Sequence, residues 1–86
     1  MSKVVAVVGA SSNRAKFGNK ALRAFQAEGY TVVAVNPNEA EVEGMKTYAT
    51  VLDVPQRIDM ATVYVPPEIG ITLLPQFAQK GIAVAA

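Results

Sequence analysis

The chain has 86 residues, 51% of them apolar and 17% charged, with no cysteine and no histidine. This is one small domain's length, too apolar for disorder, with no disulfide or thiolate chemistry and without the commonest general base and neutral metal ligand. Net charge is +1, yet residues 1–27 carry Lys3, Arg14, Lys16, Lys20 and Arg23 and no acid, so this third stands at +5 and the remainder at −4.

Lys3 to Val8, KVVAVV, is a continuous Val-rich run ending at Gly9. Such a run predicts a strand buried on both faces, as in a parallel sheet. Residues 9–18, GASSNRAKFG, are small and polar and predict a loop. From Phe17 to Glu28 the spacing becomes helical, with Phe17, Ala21, Leu22, Ala24 and Phe25 on one face. Gly29 closes this helix. Thr31 to Val35, TVVAV, predicts a second buried strand, stopped by the turn Asn36-Pro37-Asn38.

The acidic stretch Glu39 to Glu43 predicts a solvated loop, and Gly44 to Ala49 a short extended piece. Thr50 caps a helical turn reaching Val54. Met60 to Val65 predicts a third strand, stopped by Pro66-Pro67. Pro75 lies within the next helical pattern, where an interior proline costs about 3 kcal/mol. A regular helix at 72–80, with Thr72 as its cap and 68–71 as a looser entry, puts Pro75 in the first turn. Gly81 ends it, and Ile82 to Ala86 predicts a fourth strand.

The alternation implies one α/β domain over residues 1–86, a Rossmann-like open parallel sheet with helices on both faces. Right-handed crossovers give the strand order 2-1-3-4. The apolar ending resembles an internal boundary, as if a longer domain were truncated at its C-terminus. It leaves an edge that invites a homo-oligomer. No apolar run approaches the roughly 18 residues of a membrane span, and no secretory signal is visible, so a cytoplasmic location is expected. No aromatics interleave with the N-terminal cations, which argues against nucleic acid.

Ligands of open parallel sheets bind beyond the carboxyl ends of the strands. Three segments leave the strands there: Gly9 to Gly18, Asn36 to Asn38, and Pro66-Pro67. The first has the makings of a phosphate loop. Gly9 permits a sharp turn. Ala10, Ser11 and Ser12 leave amides accessible, and both serines add hydroxyls. A helix N-terminus aims at the same space. Arg14 and Lys16 supply cations, with Lys20 a weaker candidate.

The spacing from Gly9 to Gly18 departs from the dinucleotide pattern G-x-G-x-x-G. The second strand ends in Asn36-Pro37, without the acid that binds an NAD ribose and would repel a ribose phosphate. A nucleotide with extra phosphate charge fits, and both NADP and coenzyme A qualify. Asp53 and Asp59 lack a partner carboxylate for acid–base work. Tyr48 and Tyr64 read as packing residues. Glu39, Glu41 and Glu43 offer only a weak metal signal.

The stretches VAVVGASSNRAKFGNKAL, VVAVNPNEAEVEGMKTYATVLDVP and VYVPPE resemble the small coenzyme A-binding proteins of bacteria and archaea. They are also similar to the first domain of the succinate–CoA ligase alpha subunit. The resemblance implies that Gly9, Ala10, Ser11, Ser12, Asn13, Arg14 and Lys16 surround the pyrophosphate and ribose phosphate. It implies Val35, Asn36 and Pro37 beside adenine, and Val65, Pro66 and Pro67 on the other wall, near the pantetheine arm. The expected function is binding of coenzyme A or acyl-CoA without catalysis. The alternatives are an NADP-binding or acyl-CoA ligase fragment needing a second domain, and an interaction module without ligand.

Overall fold

The computed structural model describes residues 3–85. Its elements are β1 (Val4–Val8), α1 (Phe17–Ala27), β2 (Thr31–Val35), β3 (Glu41–Val42), β4 (Met45–Tyr48), a 3-10 turn (Val51–Asp53), β5 (Met60–Val63), α2 (Pro67–Lys80) and β6 (Ala83–Ala85). They form a Rossmann-like sheet of six strands in the order β3-β4-β2-β1-β5-β6. All pairings are parallel except β3 with β4. The four strands expected from the sequence stand in the expected order, here β2-β1-β5-β6.

The Val-rich strands sit at the centre because both of their faces are covered. On one face Val7 and Ala34 pack with Leu22 of α1 and with Val42. On the other, Ala6, Val8, Val33, Val35 and Ala61 pack with Phe77 of α2 and with Val51, Val54 and Ile58. Each fully buried aliphatic side chain contributes about 1.5–3 kcal/mol of transfer free energy.

Several expectations need correction. The acidic stretch is not a plain solvated loop. Glu41–Val42 turns back on Met45–Tyr48 as an antiparallel pair, because Val42 finds a fully buried place beside α1. Val35 pairs with Tyr48, so this hairpin extends the sheet beyond β2. The third expected strand stops at Val63, two residues early, leaving Tyr64 and Val65 free to face the strand ends.

The face of α1 is turned by about one residue from the expected one. Gly18, Asn19 and Leu22 are buried, while Phe17 is 74% exposed. Gly18 must point inward because only a hydrogen fits against the preceding loop, and that turns Phe17 out.

Helix α2 starts five residues earlier than the regular helix expected, at Pro67, where the missing amide hydrogen costs nothing in the first turn. Thr72 is therefore interior, and its hydroxyl donates back to the Ile69 carbonyl at 2.6 Å. Pro75 is interior too. It lies on the outer surface, as does Ile71, 67% exposed, whose carbonyl loses its intrahelical partner to the proline. Thr50 does cap the 3-10 turn, accepting from the Leu52 amide. The final residue of the fourth expected strand, Ala86, lies outside the described residues. No helix among the described residues is long and apolar enough to cross a membrane.

Candidate functional site

A cleft of about 880 Å³ opens beyond the carboxyl ends of the central strands. Parallel topology puts it there: the chain leaves β1, β2 and β5 at the same edge, and each exit forms a wall.

The first wall is the loop after β1. Gly9 has φ +90, and a β-carbon there would lie 2.5 Å from the Tyr64 carbonyl oxygen. The Gly9 amide donates to the Val35 carbonyl at 2.9 Å, and the Tyr64 amide to the Val8 carbonyl at 2.8 Å. The loop is thus tied to both neighbouring strand exits. It returns to α1 through Gly18, where a β-carbon would lie 2.3 Å from the Gly9 carbonyl oxygen.

The interior of the loop is braced from below. Asn19 is fully buried. Its Nδ2 donates to the Ser11 carbonyl at 2.8 Å and to Glu43 Oε2 at 3.1 Å, and its Oδ1 accepts from Arg23 Nε at 2.7 Å. Asn13 shapes the loop locally, its Oδ1 accepting from the Ala15 amide at 3.0 Å.

The second wall is the turn after β2. Asn36 Nδ2 donates to the Ala10 carbonyl at 2.8 Å, while Oδ1 accepts from the Asn38 amide at 2.8 Å. One side chain therefore fixes the turn and ties it to the first loop. The turn delivers Glu39, whose carboxylate accepts from the Ser12 amide at 2.6 Å and from the Ser12 hydroxyl at 2.9 and 3.1 Å. The Ser12 amide, then its hydroxyl, hold the Glu39 carboxyl below the usual carboxylate range, with Lys16 adding a smaller favourable charge. The second strand ends without an acid, as expected, but Glu39, expected in a solvated stretch, approaches the first loop. Glu39 stands four residues past the end of β2 at Val35, and the tight Asn36 turn swings it back.

The third wall is Tyr64, Val65 and Pro66, continued by Ile69, Leu73, Gln76 and Phe77 of α2. It is mostly apolar, whereas the first wall is rich in amides and hydroxyls.

Of the residues singled out in the sequence, Gly9, Ser11, Lys16, Val35, Asn36, Pro37, Val65 and Pro66 line the cleft. Ala10 is buried beneath the loop. Ser12, Asn13 and Arg14 belong to the loop but are not among the lining residues, nor is Pro67 at the start of α2. Arg14 is engaged elsewhere, its Nη1 lying 3.3 Å from Glu43 Oε1. The sequence reading missed Phe17, Thr50, Glu39 and the α2 wall as lining residues, and Asn19 as a brace. A polar side chain at helical spacing between Gly18 and Leu22 is the signal that could have found Asn19.

A sequence profile of the CoA binding domain matches residues 3–86. An ADP-forming acetate–CoA ligase of Archaeoglobus fulgidus is 40% identical over 80 residues, covering 93% of this chain and 12% of the ligase. The alpha subunit of an ADP-forming acetate–CoA ligase of Pyrococcus furiosus is 34% identical over 95% of this chain and 19% of that subunit. The chain thus spans under a fifth of the length of these curated relatives. Among solved structures, a conserved hypothetical protein from Pyrococcus furiosus superposes with a TM-score of 0.84 at 36% identity, covering 95% of this chain and 70% of the other. A dinucleotide-forming acetyl-coenzyme A synthetase of Candidatus Korarchaeum cryptofilum, solved with phosphate and ADP, superposes with a TM-score of 0.84 at 33% identity over 93% of this chain and 18% of that one. Motifs, topology and these likenesses agree: the chain belongs to the CoA binding domain family.

Proposed function

We propose that the described residues form one binding module, which holds coenzyme A or acyl-CoA in this cleft. The observation that carries the reading is the cleft's two-sided chemistry. One wall brings Gly9, the Ser11 hydroxyl and Lys16 to the cleft, with the Ser12 amide and hydroxyl beside it already holding one anion, the Glu39 carboxylate, a set suited to phosphate. The opposite wall is apolar and suits a thioester-bearing arm. A volume of about 880 Å³ stands near the upper end of ordinary ligand sites, as a long ligand requires. Gly9, Ala10, Ser11, Ser12, Asn13 and Lys16 form the phosphate side, with Arg14 at its rim. Val35, Asn36 and Pro37 flank the adenine. Val65, Pro66 and Pro67 lie along the pantetheine arm.

The module binds without catalysing. With no cysteine or histidine in the sequence, it brings neither of the commonest nucleophile–base partners. Chemistry on the bound thioester would require groups from another domain. The second reading, a segment of an acyl-CoA ligase, is favoured by one observation: relatives matched over 93% of this chain are several times longer. Both readings share the ligand. Calorimetric titration with coenzyme A tests them, with NADP and NAD as comparison ligands. The expected result is heat from one site with coenzyme A and less or none with the dinucleotides. A folded sample giving no heat at millimolar coenzyme A would contradict the proposal, and tighter binding of NADP would transfer it to a redox cofactor.

A further inference from the structure

The Glu39 carboxylate sits where the proposed function puts a phosphate. It accepts the Ser12 amide at 2.6 Å and the Ser12 hydroxyl at 2.9 Å. Lys16 supplies a favourable charge nearby. A backbone amide, a hydroxyl and a cation are the groups a phosphate oxygen would recruit. The carboxylate is also delivered rather than adrift. The Glu39 amide donates to the Asn36 carbonyl at 3.4 Å, and the Thr47 hydroxyl donates to the Glu39 carbonyl. Its backbone is therefore fastened both from the turn after β2 and from β4.

Resting on the coenzyme A reading, we propose that Glu39 is a built-in competitor for the phosphate loop. Its carboxylate occupies the anion position at Ser12 in the free protein and must leave when a ligand phosphate arrives. One amide hydrogen cannot serve two anions well, and two anions at hydrogen-bonding distance from the same donor repel. The residue thereby sets a threshold. Ligands whose phosphates outcompete a carboxylate are admitted, and weakly anionic ones are not. A phosphomonoester carries about −1.5 to −2 charge at neutral pH and three acceptor oxygens, against one charge and two oxygens for Glu39. The 3′-phosphate and diphosphate of coenzyme A meet that requirement, whereas an uncharged nucleoside does not.

The contrary role is also chemically sensible. A carboxylate beside a ribose could accept its hydroxyls and so hold the ligand. The two roles predict opposite signs on removal of the charge, which makes the test decisive. Glu39→Gln keeps the shape and removes the charge, and Glu39→Ala removes both. Each variant and the unaltered protein is titrated by calorimetry with coenzyme A and, separately, with inorganic pyrophosphate. The Ser12 amide is followed by nitrogen–proton NMR, which also reports that each variant is folded.

A competitor predicts that both variants bind coenzyme A and pyrophosphate about tenfold more tightly, equivalent to about 1.4 kcal/mol. It also predicts that the Ser12 amide resonance of the free protein shifts on removal of the carboxylate. Unchanged or weaker binding in the variants would overturn the inference, even with coenzyme A bound by the unaltered protein. If neither the unaltered protein nor the variants bind coenzyme A, the ligand reading fails. Pyrophosphate then decides the inference alone: tighter binding by the variants supports it, and equal or absent binding overturns it.

Discussion

Gly18 lies so close beneath Gly9 that a β-carbon on residue 18 would stand 2.3 Å from the Gly9 carbonyl oxygen. The loop between them can close into a pocket wall only because the start of α1 approaches with no side chain in the way. Gly18→Ala forces the helix and loop apart. The expected cost is about 1–3 kcal/mol, the usual range for overpacking. Urea unfolding monitored by circular dichroism checks it, and ligand affinity should fall along with stability because the loop amides move.

Asn36 links the two polar walls through its 2.8 Å bond to the Ala10 carbonyl. Asn36→Ala removes that bond and the turn bond to Asn38. A loss of about 0.5–1.5 kcal/mol per bond is expected. The variant should remain folded yet bind coenzyme A more weakly, as measured by calorimetry beside a denaturation curve.

Pro75 interrupts the hydrogen-bond ladder of α2 on its outer side. Pro75→Ala restores a donor to the Ile71 carbonyl and removes the ring. The helix should gain up to about 3 kcal/mol, less what the proline's stiffening of the unfolded chain already contributes. A higher urea midpoint is the expected outcome, and a lower one would show that the ring packs usefully.

Glu39 makes stability depend on pH in a defined direction. Its folded-state carboxyl is held below the ordinary value, chiefly by the Ser12 amide. A depressed carboxyl stabilises the fold above its unfolded value, about 4.3. The contribution is lost as pH falls through the folded value. The difference in urea midpoint between the unaltered protein and Glu39→Gln should therefore be present at about pH 7 and shrink progressively as pH falls below the unfolded value. An undiminished difference at low pH would mean the stabilisation does not come from the charge.

The central strands were legible because doubly buried strands are written as unbroken Val runs, as in Val4–Val8 and Thr31–Val35. Their order followed from right-handed crossovers with helices on both faces. The hairpin at Glu41–Tyr48 was obscured because Val42, its buried residue, stands between two acids. The start of α2 was obscured by Pro75, whose cost is relieved by exposure, a property that local sequence does not carry. Of the loop after β1, Gly9 and Ser11 line the cleft as their small size and position suggest, and Lys16 joins them, whereas Ala10 is buried and Ser12, Asn13 and Arg14 do not line it. The α2 wall was missed because the regular helix was expected only from residue 72, leaving Ile69 in a looser entry, whereas the helix starts at Pro67 and turns Ile69, Leu73 and Phe77 to the cleft. Glu39 was misjudged because its approach to Ser12 depends on the tight turn at Asn36, a three-dimensional fact.

Nitrogen–proton correlation NMR during a titration with coenzyme A tests the central claim most directly. Saturable shifts should cluster at Gly9 to Phe17, Asn36, Asn38, Glu39, Val65 and Ile69, the amides around the cleft mouth. Amides at the opposite sheet edge, such as Lys3, Tyr30 and Asp59, should stay still. No saturable shift, or shifts confined to that opposite edge, would contradict the assignment of this cleft to coenzyme A.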